Sequence, residues 1–453
     1  MKKKFVSMLL CMAMVGVLLA GCGSVASEES TTKETETEAV TEAVTTEETE
    51  SAGDYKEAEL TLLWVGDGSL DGINAVCAAA QEKLGITVDI ENLGGGEDGD
   101  NVIKTRLASG DMSDILCYNS GSLLSALNPS EYFVDLSGEA FADTIDDTFK
   151  TSASAGGALY GIPSAASQVG AVLYNKAMYE KYDLQVPVTW DEFLANCDVL
   201  KEAGETAVLG SFGDSWTTQV AYLGDHYNVN AANSDFAAGF EAGEVKYAID
   251  PAGLKSFEKM EQLIPYYNSD YLATSYDDAC DMLANGEGAQ WFMLSSALGN
   301  IYSLYGEGVN NIGCFAIPGD DASNNGITVW EPNALYANAS SEKIDDIKRF
   351  FEFYISYEGL DAYTSALLPD GPYCVKGYDL PENCYDAVRQ MQETYFDTGK
   401  TSVALEFQTS VKGANCASIC QELGSGQTTA AEAAAKYDED CKKQAVQLGL
   451  NWD

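Results

Sequence analysis

The sequence predicts an α/β protein of two lobes, and two observations carry that reading. Segments with period-two alternation take turns with amphipathic helical segments along the chain, the pattern of parallel sheets flanked by helices. The chain has 453 residues. Once an N-terminal leader and tether are set aside, roughly 400 remain, too many for one small core.

The leader is "MKKKFVSMLLCMAMVGVLLAGC". Lys2, Lys3 and Lys4 precede an apolar run to Ala20 that is short for a membrane span and has the charge layout of a secretory signal. The closing "LAGC" resembles a bacterial lipobox. That resemblance implies cleavage before Cys22, a lipid (palmitate) on its thiol and an anchor on the extracytoplasmic face of the cell membrane. The alternatives are a signal peptide cut elsewhere or an uncleaved anchor. Residues 22–55 are Thr- and Glu-rich, with "TEAV" twice in succession. They cannot bury enough apolar surface to offset chain entropy, so they read as a solvated tether.

Formal net charge is −46. Loss of the leader, with its three lysines and no acid, leaves the chain more acidic still. This excludes nucleic acid as a partner and adhesion to anionic lipid by charge. Of twelve cysteines, Cys11 leaves with the leader and Cys22 carries the lipid. The rest are scattered through a chain that needs no staples, and read as small apolar core residues. With His226 the single histidine, no metal site and no cofactor are expected.

The elements follow in order. "AELTLLWVG" is a strand, and the helix after it closes at Gly85. "ITVDIENLG" alternates like a strand, "NVIKTRLASGD" reads as helix and "MSDILCYNSG" as strand. "YGIPSAASQVGAVLYN" reads as two strands around a polar turn. Thr189 and Glu192 in "TWDEF" form a capping box, and Phe193, Leu194, Cys197 and Leu200 share one face of the helix that follows. "AVLGSFG", "GAQWFML", "NNIGCFAIPG" and "TVWEPNALYANA" are strands. "AGLKSFEKMEQLI" and "SEKIDDIKRFFEFYIS" are helices.

Several of these pieces occur in the order of a known family. "YGIP…VLYNKAMYEKYDL…PVTWDEFLANCDVLKEAG", "ANGEGAQWF", "GCFAIPGDD", "NASSEKIDDIKRFFEFYISYEGLDAY" and "GSGQTTAAEAAAKYDE" resemble the family 1 extracellular solute-binding proteins of ABC importers, which include maltodextrin-binding proteins. The resemblance runs from Leu60 to Tyr437. It implies the periplasmic-binding-protein fold: two lobes, a hinge, and a chain that crosses near 156–160, 286 and 366. One lobe would hold 56–158 and 287–365, the other 159–286 and 366–453. It implies a monomer that takes a neutral mono- or oligosaccharide in the cleft and hands it to the permease subunits in the membrane.

A sugar site wants flat aromatics for C–H faces and carboxylates or amides for hydroxyls. Such groups gather at strand ends. Trp64 and Asp67 end the first strand, and the family loop there bears a ligand-binding aspartate. Tyr118, Asn119 and Ser120 end "DILCYNS". Gln168 falls where maltodextrin binders carry an acid. Asp214 and Trp216 match an acid and an aromatic of that family. Trp330 and Glu331 end "TVWE". The family tryptophan after "GAQWFM" falls near Ser296 here, so Trp216 or Trp330 would stand in. Trp190, Trp291 and His226 read as packed or surface residues. The turn "SAASQ" would turn its polar groups toward ligand hydroxyls.

Other motifs carry less. "GGGEDGDN" lacks the ending of a phosphate loop, and Glu97, Asp98 and Asp100 miss the EF-hand spacing, leaving a solvated acidic loop. No nucleophile elbow occurs, so no enzyme is expected. The remaining alternatives are a binder of a cationic ligand such as a polyamine, a surface adhesin or sensor, and a cell-surface glycoside hydrolase working with two carboxylates.

Overall fold

In the computed structural model the described residues are 56–66 and 68–452, without the side chains of Glu97 and Asp98. The leader, Cys22, the tether and Asp67 lie outside the described residues. Before the first crossing come strands β1 (Ala58–Val65), β2 (Ile86–Leu93), β3 (Ile115–Tyr118) and β4 (Gly161–Pro163). The chain then builds β5 (Gln168–Asn175), β6 (Val208–Leu209), β7 (Gln290–Leu294), β8 (Ile312–Phe315) and β9 (Ile327–Trp330). A second crossing leads to β10 (Ala334–Ala337), and a third leads back to β11 (Thr401–Val403).

The first sheet has the order β2-β1-β3-β10-β4, and the second runs β11-β9-β5-β7-β6 with β8 also on β5. Each sheet holds one strand against the grain. In the first it is β10, antiparallel to β3 and β4. In the second it is β5, antiparallel to β7, β8 and β9. Both are strands that the chain enters directly from a crossing. The parallel strands end at the crossing edge, so a strand that starts there must run the other way. The rims that face each other are therefore built from the C-termini of parallel strands and the N-termini of β5 and β10, where open α/β sheets hold ligands.

All three crossings differ from expectation. The first, expected near 156–160, follows Pro163, which still pairs in the first sheet. The third, expected near 366, follows Val375, which still packs in the first-lobe core. The boundary expected at 286 lies at 331–333, because β7, β8 and β9 all belong to the second sheet. "TVWEPNALYANA" is two strands in two sheets rather than one. Pro332 sits between them, and a proline inside a strand pattern is a sign of such a break.

Period-two alternation fills the cores. On β5, Val172 and Tyr174 join a cluster with Trp190, Phe193 and Phe292. Val169, Ala171 and Leu173 face the other way, onto Trp291, Met293 and Leu298. The first lobe packs Leu62, Ile115, Tyr336 and Phe350 into its own core. The helices that position the cleft are α1 (Asp71–Leu84), α2 (Gly96–Ser109), α3 (Trp190–Glu202), α4 (Tyr276–Asn285), α5 (Ala297–Tyr305) and α6 (Tyr357–Ala366). The Thr189–Glu192 capping box starts α3, and Gly85 closes α1 with φ 69°. Cys77 is half-buried and Cys117, Cys197, Cys280, Cys314, Cys374, Cys384, Cys416, Cys420 and Cys441 are buried, all as free thiols. Trp190, Trp291 and His226 are buried.

Candidate functional site

The crossing segments lie side by side. Ser164 N–H donates to Asn333 O at 3.0 Å and Ser167 N–H to Pro372 O at 2.8 Å. Ser167 Oγ donates to the same Pro372 carbonyl at 2.8 Å, and Tyr354 Oη donates to Ser164 O at 2.7 Å. The turn "SAASQ" therefore spends its serines on binding the three crossings together, not on facing a ligand. Gln168, half-buried, begins β5 opposite Trp330.

The wall from the first lobe is closed on itself. Trp64 is buried. Tyr118 is buried and its hydroxyl donates to Asp100 at 2.6 Å. Asn119 gives its carbonyl to Tyr336 Oη at 2.9 Å, and buried Ser120 has its Oγ 3.5 Å from Pro332 O. Glu331 is buried too, and burial pushes its carboxyl up to about 7. Cys374 Sγ donates to its Oε2 at 3.5 Å. Trp330, at the end of β9 in the second lobe, is half-buried. A Cβ on Gly170 would stand 2.7 Å from its ring, so glycine is needed there, and Phe407 meets it edge-on at 6.3 Å.

The wall from the second lobe is open. Trp216 follows β6 and is 39% exposed, unusual for so large a ring. It leans on Tyr276 at 5.3 Å, and Tyr276 is backed by buried Trp291 at 5.5 Å. Asp214 Oδ2 accepts the Tyr276 N–H at 2.7 Å, which starts α4 beside the rim and fixes the aromatic pair. This wall can meet a flat apolar face with a ring and its polar edge with a carboxylate. Ser296 caps α5, so no aromatic replaces it there.

Three residues of this region escape the sequence reading. Tyr276 is one. Gly299 on α5 and Asp370, between α6 and the third crossing, are the others. Burial pushes the Asp370 carboxyl up to about 7. "LLPDGPY" reads as a turn and gives no sign of that enclosure. Near them lies a cavity of about 940 Å³, lined from the first lobe by Ser69, Asp71, Tyr357 and Asp361 and from the second by Tyr302 and Tyr385. None of the described candidate residues lines it. Among the described residues no group of three or more His, Cys, Asp or Glu side chains is placed to hold a metal.

The sequence pattern of the bacterial extracellular solute-binding proteins matches residues 67–360. The chain belongs to that family. A relative, the "Multiple sugar-binding protein" of Streptococcus mutans serotype c, is 26% identical over 295 residues, 63% of this chain and 68% of its own. Among solved structures, "SBP RafE in complex with raffinose" superposes with a TM-score of 0.70 at 19% identity, covering 84% of this chain and 100% of that one. A "Chitin oligosaccharide binding protein" does so with 0.72 at 20% identity, covering 86% and 99%. These structural likenesses carry the fold: this solute-binding protein has the two-lobed architecture. No described helix is long and apolar enough to cross a membrane.

Proposed function

We propose that this solute-binding protein captures a neutral sugar or oligosaccharide between its lobes and delivers it to the membrane subunits of an ABC importer. The observation that carries the reading is Trp216, an exposed indole braced by Tyr276 at the rim, with Asp214 beside it. An exposed, braced ring is what the C–H face of a pyranose stacks on, and a carboxylate at its edge accepts hydroxyls. The name of the streptococcal relative and the raffinose complex support a carbohydrate. Asp67 and Gln168 are proposed as further hydrogen-bonding residues.

The same reading includes a lipid on Cys22 that holds a monomer at the outer face of the membrane. Cys22→Ser should move the protein out of the membrane fraction. Retention at the wild-type level would contradict the anchor.

Binding itself is tested by thermal shift and calorimetry against glucose, galactose, maltotriose, raffinose, stachyose and spermidine. A ligand that binds the native state alone raises the melting temperature. At least one sugar should do so, and spermidine should not. A rise with spermidine alone would replace the sugar by a cation.

A further inference from the structure

Gly121 follows β3 on the first lobe, and there it meets the second lobe backbone to backbone. A Cβ added at Gly121 would stand 2.4 Å from the Glu406 carbonyl oxygen, 2.9 Å from Phe407 Cα and 3.0 Å from Phe407 Cδ1. No side chain fits that gap. The backbone asks for glycine as well, with φ 67° and ψ −133° at this residue.

Each side of the contact is pinned to its own lobe. Gly121 N–H donates to Ser152 O at 2.7 Å, and its carbonyl accepts from Ser125 N–H at 3.1 Å and from Ser125 Oγ at 3.2 Å. Phe149 and Ala153, near Ser152 in the chain, belong to the first-lobe core. Across the gap, Glu406 and Phe407 turn the chain after β11. Leu405 packs in the second-lobe core, and Ala404 N–H donates to Val329 O on β9 at 2.8 Å. The Glu406 carboxylate is held from behind by Lys412 Nζ. With both sides anchored, the contact is made or broken by moving whole lobes.

The contact also lies close to the pivot. Ser120 Oγ is 3.5 Å from Pro332 O in the second crossing, and the Phe407 ring meets Trp330 just before that crossing. Near a pivot, a small displacement becomes a larger one at the far rim. One added side chain at Gly121 therefore acts on the whole cleft.

We infer that Gly121 and the Glu406–Phe407 turn form an interlobe latch. Closure runs until the Gly121 backbone rests on the Glu406 carbonyl, and burial of the Phe407 ring in that contact keeps a share of the ligand-free molecules shut. Apparent affinity rises with the fraction of molecules already in the binding-competent form. The latch touches no ligand, so it strengthens every ligand that needs the closed form by the same factor and stands apart from the sugar reading.

The test compares Gly121 with Gly306, which has nearly the same backbone, φ 54° and ψ −131°, and where an added Cβ meets nothing within 4 Å. Substitution at either carries similar backbone strain, but only one wedges the lobes. Small-angle scattering of the full chain without ligand should give a larger radius of gyration for Gly121→Leu than for Gly306→Leu or wild type. Phe407→Ala, which leaves the glycine in place, should enlarge the radius too, so the latch is tested even where the Gly121 variants fold poorly. Equal radii across these proteins would overturn the latch, whatever ligand the cleft takes. With raffinose or stachyose, Gly121→Ala should bind about tenfold more weakly than wild type, through faster release in stopped flow. A merely structural glycine would lower the melting temperature and leave release unchanged, and that result would overturn the latch as well. Failure of both sugars to bind wild type would count against the sugar reading, and the ligand-free radii would then decide the latch alone.

Discussion

The two walls of the cleft carry similar residue types and use them differently. On the first-lobe wall three groups already have partners: the Tyr118 hydroxyl with Asp100, the Asn119 backbone carbonyl with Tyr336 and Glu331 with Cys374. Its tryptophan, Trp64, is buried. On the second-lobe wall Trp216 is exposed and leans on Tyr276. What a cleft offers a ligand is the set of groups the fold leaves unsatisfied, not the set of residue types at its strand ends. The described strand-end candidates of the first wall are scaffold, and Trp216 on the second is surface.

This comparison can be broken by substitution. Trp64→Ala should have the largest effect, a loss of about 3–5 kcal/mol in urea unfolding, as for other buried aromatics, with sugar affinity of the folded protein within twofold. A Trp64→Ala protein that melts normally but cannot bind would move the first wall into the site.

Glu331→Gln comes next. The folded carboxyl titrates at about 7, above its ordinary 4.5. Between those values the native state holds a proton that the unfolded chain has released, so stability falls as pH rises through that window. The shift corresponds to something on the order of 3 kcal/mol. Wild-type melting temperature should drop from pH 4.5 to 7.5, and Glu331→Gln should drop less. An unchanged slope would mean that Glu331 is not the enclosed group described here.

The fold was legible for a physical reason. Alternation on β2 and the Thr189–Glu192 cap are local signals, and local signals survive folding. The second crossing was not, because β9 and β10 read as one strand across Glu331, Pro332 and Asn333. Rim positions were legible for Trp216 and Asp214 through residue type and place. The "SAASQ" serines misled, since Ser164 bonds to Asn333 and Tyr354 and Ser167 to Pro372, some 205 residues away.

Trp216→Ala should weaken sugar binding about tenfold, the worth of one stacked ring, with melting temperature unchanged. Fluorescence of the wild-type protein should change on adding the bound sugar, and that change should shrink in the variant. Normal binding by Trp216→Ala would take the second wall out of the site. Tyr118→Phe should have the smallest effect, about 1.5 kcal/mol of stability from the lost bond to Asp100 and no change in affinity. A Tyr118→Phe variant that binds sugar tenfold less well would show that its hydroxyl leaves Asp100 for the ligand.

In the proposed function, ligand lies between the lobes and touches both. Only a closed form gains all its contacts, and ligand shifts the balance by its preference for that form. Small-angle scattering of the protein with and without a saturating sugar measures this directly. The radius of gyration should fall when the bound sugar is added and stay constant with a sugar that does not bind. A tightly bound sugar that leaves the radius unchanged would contradict capture between the lobes.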